Sequence, residues 1–260
     1  MQYDSPRAAF AAVVAGEPLV LAVGEAHAPR DATVPSAAKR FADDLLPMIA
    51  PRASDLLVEL MMPPQACVEA TAEVREKQAA VTARQAATDQ NEYVVMGEKA
   101  RSLGLVPDML RPSCADMDRV RGAGDDAVGA SLELIARLTR DQATRLVDRD
   151  ARSDADVGKI VIVYGGFLHN DLAASGEAAK WSYALPVDRY VRGRLVALDL
   201  VVPEFIGDDA TWESLAWRPY YDKARFGRKT TLFRTGERSF VLVFPLFTPA
   251  VAPPDAASPR

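Results

Sequence analysis

Compact apolar runs recur along the chain, and stretches with helical periodicity separate them. PLVLAV (18–23), DLLVELM (55–61), KIVIVYGG (159–166) and RLVALDLVV (194–202) lack apolar–polar alternation, which is typical of strands buried on both faces. LVPDML (105–110) is a weaker run of the same kind. Apolar spacing and helix-forming composition predict helices between these runs. The predicted helices cover 6–15, 35–50, 64–86, 89–103, 126–150 and 187–192.

The order of these elements predicts the fold class. Strands that alternate with helices pair in parallel through crossover helices, which gives an α/β fold with a central, mostly parallel sheet and helices on both faces. TTLFR and SFVLVF flank TGE at 235–237, and this pattern predicts a C-terminal β-hairpin. We expect a single α/β domain over residues 1–248 and a disordered Pro/Ala-rich tail over 249–260.

Composition narrows the classes of partner. The 260-residue chain is 49% hydrophobic and carries a net charge of −5, and an acidic balance argues against a nucleic-acid partner. A solvated loop explains the basic aromatic segment at 217–229 as well as a nucleic-acid-binding surface does. The N-terminus lacks a signal-peptide pattern, and no run approaches the roughly 18 apolar residues of a membrane span. We therefore expect a cytoplasmic protein without a membrane partner, acting on a small-molecule or peptide substrate.

The two cysteines add no framework to this picture. Cys67 and Cys114 are far apart in the sequence, so their spacing predicts neither a disulfide framework nor a CxxC metal site. We expect both to be buried apolar side chains.

The two histidines of the chain each follow a glycine by three residues at the end of a predicted strand. LAVGEAHA (21–28) contains Gly24, Glu25 and His27, and VYGGFLHND (163–171) contains Gly166 and His169. Parallel strands place their carboxyl ends at one edge of the sheet, where ligands bind in such folds. A glycine after a strand lets the backbone turn sharply and approach a ligand closely. We predict that the two segments form one site.

Five other residues are candidates for the same edge. Glu59 lies among apolar neighbours in DLLVELM, which favours a paired or functional carboxylate. Arg111 follows the weak strand and is a candidate for stabilising an oxyanion or binding a substrate anion; a plain surface arginine is the alternative. Tyr164 either packs against a helix or contacts a cofactor. Asn170 and Asp171 either orient the adjacent histidine or cap the next helix.

The chemistry of these groups allows two versions of a site. Two imidazoles and a carboxylate suit a divalent ion such as Mn, Co, Fe or Zn with an open position for water, and His27, His169 and Glu25 are the predicted ligands. The same groups also work without a metal when one histidine is a general base that a carboxylate orients. Glu25, Glu59 and Arg111 are the catalytic candidates in either version. Motifs such as GxSxG, GxGxxG and HExxH are missing from the chain, which leaves few rival sites.

The segments GEAH, LLVELMMP and GGFLH resemble the superfamily of erythromycin esterase, ChaN-like haem-binding proteins and Tiki/TraB proteases, and the ChaN-like group most of all. The hallmark of that superfamily is a pair of GxxH motifs with an accompanying Glu and Arg. The esterase-like members carry additional histidines that this chain lacks. The matching residues are Gly24, Glu25, His27, Glu59, Gly166 and His169, with Arg111 as the candidate for the arginine.

The resemblance implies an α/β fold with a hydrolytic site at the strand ends, and substrates that range from lactone esters to peptide bonds. The first hypothesis is therefore a hydrolase of an ester or peptide bond, assisted by a metal. The alternative is a ChaN-like protein that binds haem or another cofactor without catalysis, and a third possibility is an interaction domain that keeps only the fold. The candidate haem contacts are Tyr164, His27 and His169 as axial groups, Gly24 and Gly166 beside the cofactor, and Met61 and Met62 in the pocket wall.

Overall fold

The computed structural model describes residues 1–82, 85–86 and 89–249 and confirms the α/β class. Within these residues, eight strands form one sheet. The strands are β1 (Gln2–Tyr3), β2 (Val20–Glu25), β3 (Ala53–Met61), β4 (Val106–Leu110), β5 (Ile160–Gly166), β6 (Leu195–Val201), β7 (Thr230–Arg234) and β8 (Ser239–Val243). Each apolar run identified in the sequence is one of these strands.

The strand order is β1-β7-β8-β6-β2-β5-β3-β4. From β8 across to β4, every neighbouring pair is parallel. Strand β7 is antiparallel to β8, and β1 is antiparallel to β7, so the predicted C-terminal hairpin is confirmed. Because β6, β2, β5 and β3 are parallel neighbours, the residues that follow them meet at one edge of the sheet.

The helices largely follow the predicted segments. They are α1 (Pro6–Val13), α2 (Ala37–Arg40), α3 (Leu46–Ile49), α4 (Val68–Thr82), α5 (Asp89–Ser102), α6 (Cys114–Gly122), α7 (Ala127–Asp150), α8 (Ala178–Trp181), α9 (Ala184–Tyr190), α10 (Ala210–Glu213) and α11 (Lys223–Phe226). A π turn over Phe41–Leu45 joins α2 to α3 within the predicted helix 35–50. No helix in the described part of the chain is long and apolar enough to cross a bilayer. Residues 83–84, 87–88 and 250–260, which include most of the predicted tail, lie outside the described residues.

Alternate residues of the central strands point into two separate cores. In β2, Leu21 and Val23 belong to one buried cluster, which also contains residues of α1, α3 and α5. Val20 and Ala22 belong to the opposite cluster, which contains residues of α7 and α9. We call these sides of the sheet the α5 face and the α7 face. If the alternation continues to the end of β2, Gly24 faces the α7 side of the sheet and the Glu25 side chain faces the α5 side.

A third, smaller cluster joins α4 and α6 to α7. Its buried members are Cys67, Ala70, Val74, Met117, Val120 and Leu134. Cys67, in the turn before α4, and Cys114, the first residue of α6, form a disulfide, so the expectation of two unpaired cysteines is wrong. The two cysteines are 47 residues apart, and only the side-by-side packing of α4 and α6 brings them together. We call residues 65–82 and 114–122, with this disulfide, the cap.

Candidate functional site

Two glycines form a trough on the α7 face at the carboxyl edge of the sheet. Gly24 of β2 pairs with Gly165 of β5 on one side and with Asp199 of β6 on the other. A Cβ on Gly165 would lie 2.8 Å from the Cβ of Glu59, and a Cβ on Gly24 would lie 2.7 Å from the Cα of Phe167. The missing side chains therefore let Glu59 and the turn after β5 lie directly on the sheet.

Asn170 ties this turn to the sheet. Its side chain is buried and donates from Nδ2 to the carbonyl of Ala22 at 3.3 Å and to Oδ1 of Asp199 at 2.9 Å. Burial raises the pKa of Asp199 to about 7. The next helix begins only at Ala178, so Asn170 positions the turn that carries His169 and does not cap a helix.

His169 is held by contacts on both ring nitrogens. Nδ1 lies 2.6 Å from the backbone carbonyl of Trp181, and Nε2 lies 3.5 Å from Oε1 of Glu59. Because a carbonyl only accepts hydrogen bonds, Nδ1 carries a proton and Nε2 is the nitrogen that meets the carboxylate. The other oxygen of Glu59 accepts a hydrogen bond from the backbone N–H of Gly166 at 2.8 Å. Glu59 thus links the end of β5 to the histidine.

Glu25 lies on the α5 face, where three donors surround its carboxylate. The hydroxyls of Tyr93 and Tyr164 donate to Oε1 at 2.9 Å and to Oε2 at 2.6 Å, and Nδ1 of His27 lies 3.1 Å from Oε1. Glu25 is only 3% exposed. Burial and the nearby Glu25 carboxylate raise the pKa of Tyr164 well above its ordinary value, so the phenol keeps its proton and donates. With Nδ1–H directed at Glu25, Nε2 of His27 is an acceptor.

Both histidines meet beside Gly166. A Cβ on Gly166 would lie 3.5 Å from Nε2 of His27, 3.8 Å from Cδ2 of His169 and 3.8 Å from Oε2 of Glu59. The two GxxH segments therefore converge at one point of the sheet edge, with a carboxylate behind each imidazole. Glu25 approaches this point from the α5 face and Glu59 from the α7 face.

A cavity of about 330 Å³ opens from this point. At its inner end lie Glu25, His27, Glu59, Gly166 and His169. One wall is formed by Thr71, Val74, Arg75 and Gln78 of α4, and another by Val128, Ser131, Leu132 and Ile135 of α7. Each set has the spacing i, i+3, i+4, i+7, which is one face of a helix. Further lining residues are Leu60, Met61, Met117, Phe167 and Leu168.

Six sequence candidates are absent from the cavity lining: Arg111, Tyr164, Met62, Asn170, Asp171 and Gly24. Gly24, a predicted cofactor neighbour, is covered by Asn170 and Phe167. The Arg111 side chain is 66% exposed and its guanidinium lies 3.8 Å from Asp108, as expected of a surface arginine; among the residues lining the cavity, the arginine is Arg75. Tyr164 is fully buried and reaches the site only through Glu25, so its hydroxyl does not face the cavity as an axial ligand would. Met62 is half-exposed and lies outside the lining.

Glu25, a predicted metal ligand, is engaged in hydrogen bonds in this structure. Both oxygens of Glu25 already accept hydroxyl hydrogen bonds, and Oε1 also faces Nδ1 of His27. Across residues 1–82, 85–86 and 89–249, no group of three His, Cys, Asp or Glu is arranged to hold a metal ion. Glu25 is therefore placed to orient an imidazole.

Several functional groups gave little signal in the sequence. Tyr93 falls in a predicted helix, and nothing in its spacing shows that its hydroxyl reaches Glu25. The partner of His169 is the backbone carbonyl of Trp181, which any residue type supplies. Gly165 was visible as the first glycine of VYGG, and a Gly-Gly pair at a strand end is the signal that identifies a close approach to the backbone.

Comparisons with known proteins give no family for this chain. No family model matches it, and no curated protein sequence matches it. Similar solved structures include the type III effector HopBA1, at 11% identity over 95% of this chain and 98% of that chain with a TM-score of 0.44. A succinoglycan biosynthesis protein is similar at 12% identity over 50% of this chain and 35% of that chain, with a TM-score of 0.20. Likenesses at these TM-scores carry no argument about function.

Proposed function

We propose that this protein is a hydrolase of an ester or peptide bond and that His27 is its general base. The observation that carries this proposal is the contact of His27 Nδ1 with Glu25 Oε1 at 3.1 Å. The imidazole of His169 lies beside this pair, next to Gly166. A carboxylate on Nδ1 fixes the tautomer and ring orientation of a histidine, and it stabilises the imidazolium that forms when Nε2 takes a proton. The hydroxyls of Tyr93 and Tyr164 fix that carboxylate in turn.

In the proposed reaction, Nε2 of His27 takes a proton from a water molecule while the water oxygen attacks the substrate carbonyl carbon. The resulting tetrahedral intermediate carries its negative charge on the former carbonyl oxygen. His27 then returns the proton to the leaving alcohol or amine as the carbon–oxygen or carbon–nitrogen bond breaks. Glu25 balances the charge of His27 throughout these steps.

His169 and Glu59 are assigned to the oxyanion. Nδ1 of His169 donates to Trp181, so a proton on Nε2 makes the ring an imidazolium, which the Glu59 carboxylate at 3.5 Å stabilises. In the proposed reaction the Nε2–H is shared between Glu59 and the substrate, and an imidazolium N–H is the type of donor that stabilises charge developing on a carbonyl oxygen. Asn170 and Asp199 serve this role indirectly by fixing the turn.

The other predictions from the sequence stay predictions. Metal assistance is tested by elemental analysis of the purified protein, and haem binding by the Soret band on titration with haem. The erythromycin esterase, ChaN-like and Tiki/TraB resemblance rests on the short motifs alone. The Cys67–Cys114 disulfide favours an oxidising compartment over the predicted cytoplasmic location.

The proposal is tested with p-nitrophenyl esters of two- to twelve-carbon acids and a panel of fluorogenic peptides. We expect the wild-type protein to hydrolyse at least one class, and we expect His27→Ala, His169→Ala and Glu25→Gln to lower kcat about 10²- to 10⁴-fold. Thermal unfolding of each variant separates loss of activity from loss of fold. Full activity in both histidine variants, or no hydrolysis by the wild type across the panel, contradicts the proposal.

A further inference from the structure

We infer that the substrate is an amphipathic anion: an apolar ester or amide whose negatively charged group, remote from the scissile bond, is bound by Arg75. This inference rests on the proposed function for the chemistry at the inner end of the cavity. Its own evidence is the composition of the walls and the position of the charges.

Arg75 belongs to the face of α4 that lines the cavity. Thr71, Val74 and Gln78 share that face with it, and the spacing of the four residues places them along one side of the helix. In the described part of the chain, the cavity lining contains one arginine, Arg75, and no lysine, against the acids Glu25 and Glu59.

The guanidinium of Arg75 is unpaired within the described residues, whereas the neighbouring arginines of the cap and α7 are paired. Arg119 and Arg137 both contact Asp116, at 3.3 and 2.5 Å. Arg121 contacts Asp118 at 2.9 Å, and Arg140 contacts Asp141 at 2.8 Å. A cation that lines a cavity without a carboxylate partner is available for a carboxylate or phosphate of a ligand.

The charges also orient the substrate. Glu25 and Glu59 lie at the inner end of the cavity with His27 and His169. Even when His169 is an imidazolium, the two carboxylates leave a net negative charge there, which repels an anionic group of the substrate. The same group beside Arg75 is attracted. The substrate therefore enters with its neutral carbonyl towards His27 and its charged end towards α4.

The walls between these ends suit an apolar body. Side chains from β3, α6 and α7 form this part of the cavity, and burying their surface against a hydrocarbon contributes about 25 cal/mol per Å². The apolar wall residues are Leu60, Met61, Met117, Val128, Leu132 and Ile135. An acyl chain or a ring system that carries a terminal acid combines both requirements.

A binding experiment tests Arg75 without any chemistry. We measure the affinities of the protein for decanoate and for decanol by isothermal titration calorimetry, because the two ligands have hydrocarbon chains of the same length and differ in charge. We expect the wild-type protein to bind decanoate about tenfold more tightly, which corresponds to roughly 1.4 kcal/mol. Arg75→Gln should remove this preference by weakening decanoate alone, and Arg75→Lys should retain part of it. Arg119→Gln, which removes a paired arginine of α6, is the matched control and should leave both affinities unchanged.

Equal binding of decanoate and decanol by the wild type overturns the inference, and so does an undiminished preference in Arg75→Gln. Absence of binding by either ligand also overturns it. A preference that persists undiminished from low salt to 1 M salt contradicts the electrostatic origin, because the Debye length falls to about 3 Å at 1 M.

A hydrolysis experiment separates this inference from the proposed function. We compare p-nitrophenyl decanoate with the mono-p-nitrophenyl ester of decanedioic acid, which carries a carboxylate at the far end. We expect about tenfold higher kcat/KM for the charged ester through KM, lost in Arg75→Gln. Hydrolysis of both esters at equal rates overturns the inference and leaves the hydrolase standing. Selective binding of decanoate without any hydrolysis overturns the hydrolase and leaves the Arg75 site standing.

Discussion

Oε1 of Glu59 lies 3.5 Å from Nε2 of His169, while the second oxygen of the same carboxylate accepts the N–H of Gly166. One side chain of β3 therefore fixes both the strand end of β5 and the imidazole that follows it. Because Glu59 lies over Gly165, this arrangement depends on the absence of a side chain in the neighbouring strand.

Gly165→Ala should displace Glu59, since the added Cβ would lie 2.8 Å from the Cβ of Glu59. We expect a loss of about 1–3 kcal/mol in the free energy of unfolding, as in other overpacked positions, and lower hydrolytic activity. Urea denaturation measures the change. Gly122→Ala is the control, because a Cβ at Gly122 meets nothing within 4 Å. Equal stability of the two variants would contradict the trough.

Tyr164→Phe removes one of the hydroxyls that hold Glu25 and leaves the buried carboxylate with one donor fewer. We expect a loss of roughly 1–3 kcal/mol of stability and about a tenfold lower kcat with KM nearly unchanged, because the tyrosine acts through Glu25 and His27. Tyr190→Phe is the matched control, since its hydroxyl donates to Asp148 at 2.6 Å on the exposed surface. A kcat in Tyr164→Phe as high as in this control would rule out a positioning role.

Asp199 should make stability depend on pH. Burial, and to a smaller extent the charge of Asp171, raise its folded-state pKa to about 7, while the hydrogen bond from Asn170 opposes the rise. In the unfolded chain its pKa is about 4. Between these values the folded state holds one proton more than the unfolded state, so this group lowers the free energy of unfolding as pH rises from about 4 to about 7.

Asp199→Asn removes that titration and preserves the acceptor for Nδ2 of Asn170. Relative to the wild type, this variant should gain stability progressively across the same pH window and show a constant difference above it. Urea denaturation at half-unit pH intervals measures both profiles. Parallel profiles over the window would show that Asp199 titrates near its ordinary pKa.

The Cys67–Cys114 disulfide closes a 47-residue stretch of the chain, and chain-entropy arguments give a contribution of about 4 kcal/mol for a loop of this length. The Cys67→Ser/Cys114→Ser variant should therefore be less stable. The loss should concentrate in the cap, because its cluster packs on α7 and is separate from the two main cores. Relative to the wild type, the variant should show a larger increase in amide hydrogen exchange in α4 and α6 than in β2 and β5. Unchanged protection of α4 would contradict this assignment.

The local sequence pattern predicted the fold and the strand end at which each histidine lies, but not the long-range contacts of the site. The β2 and β5 runs, with glycine and histidine after them, were readable because parallel strands bring their carboxyl ends to one edge whatever their distance in the sequence. Helix α6 was not predicted, because its segment lacks a clear helical periodicity. The capping box of Ser113 and Asp116 was a sequence signal for the start of this helix. Contacts that depend on packing between distant elements were not readable, such as Tyr93 on Glu25 and the pairing of Cys67 with Cys114.

The cavity draws its two ends from different parts of the chain. Its inner end belongs to the sheet edge, whereas Arg75 and its neighbours belong to the cap, which packs on α7 through a small cluster of its own. Substitutions in the cap can therefore alter which molecules are accepted while the proton-transfer groups stay in place. We therefore expect relatives that share the two histidines to differ more in residues 65–82 and 114–122 than at the sheet edge.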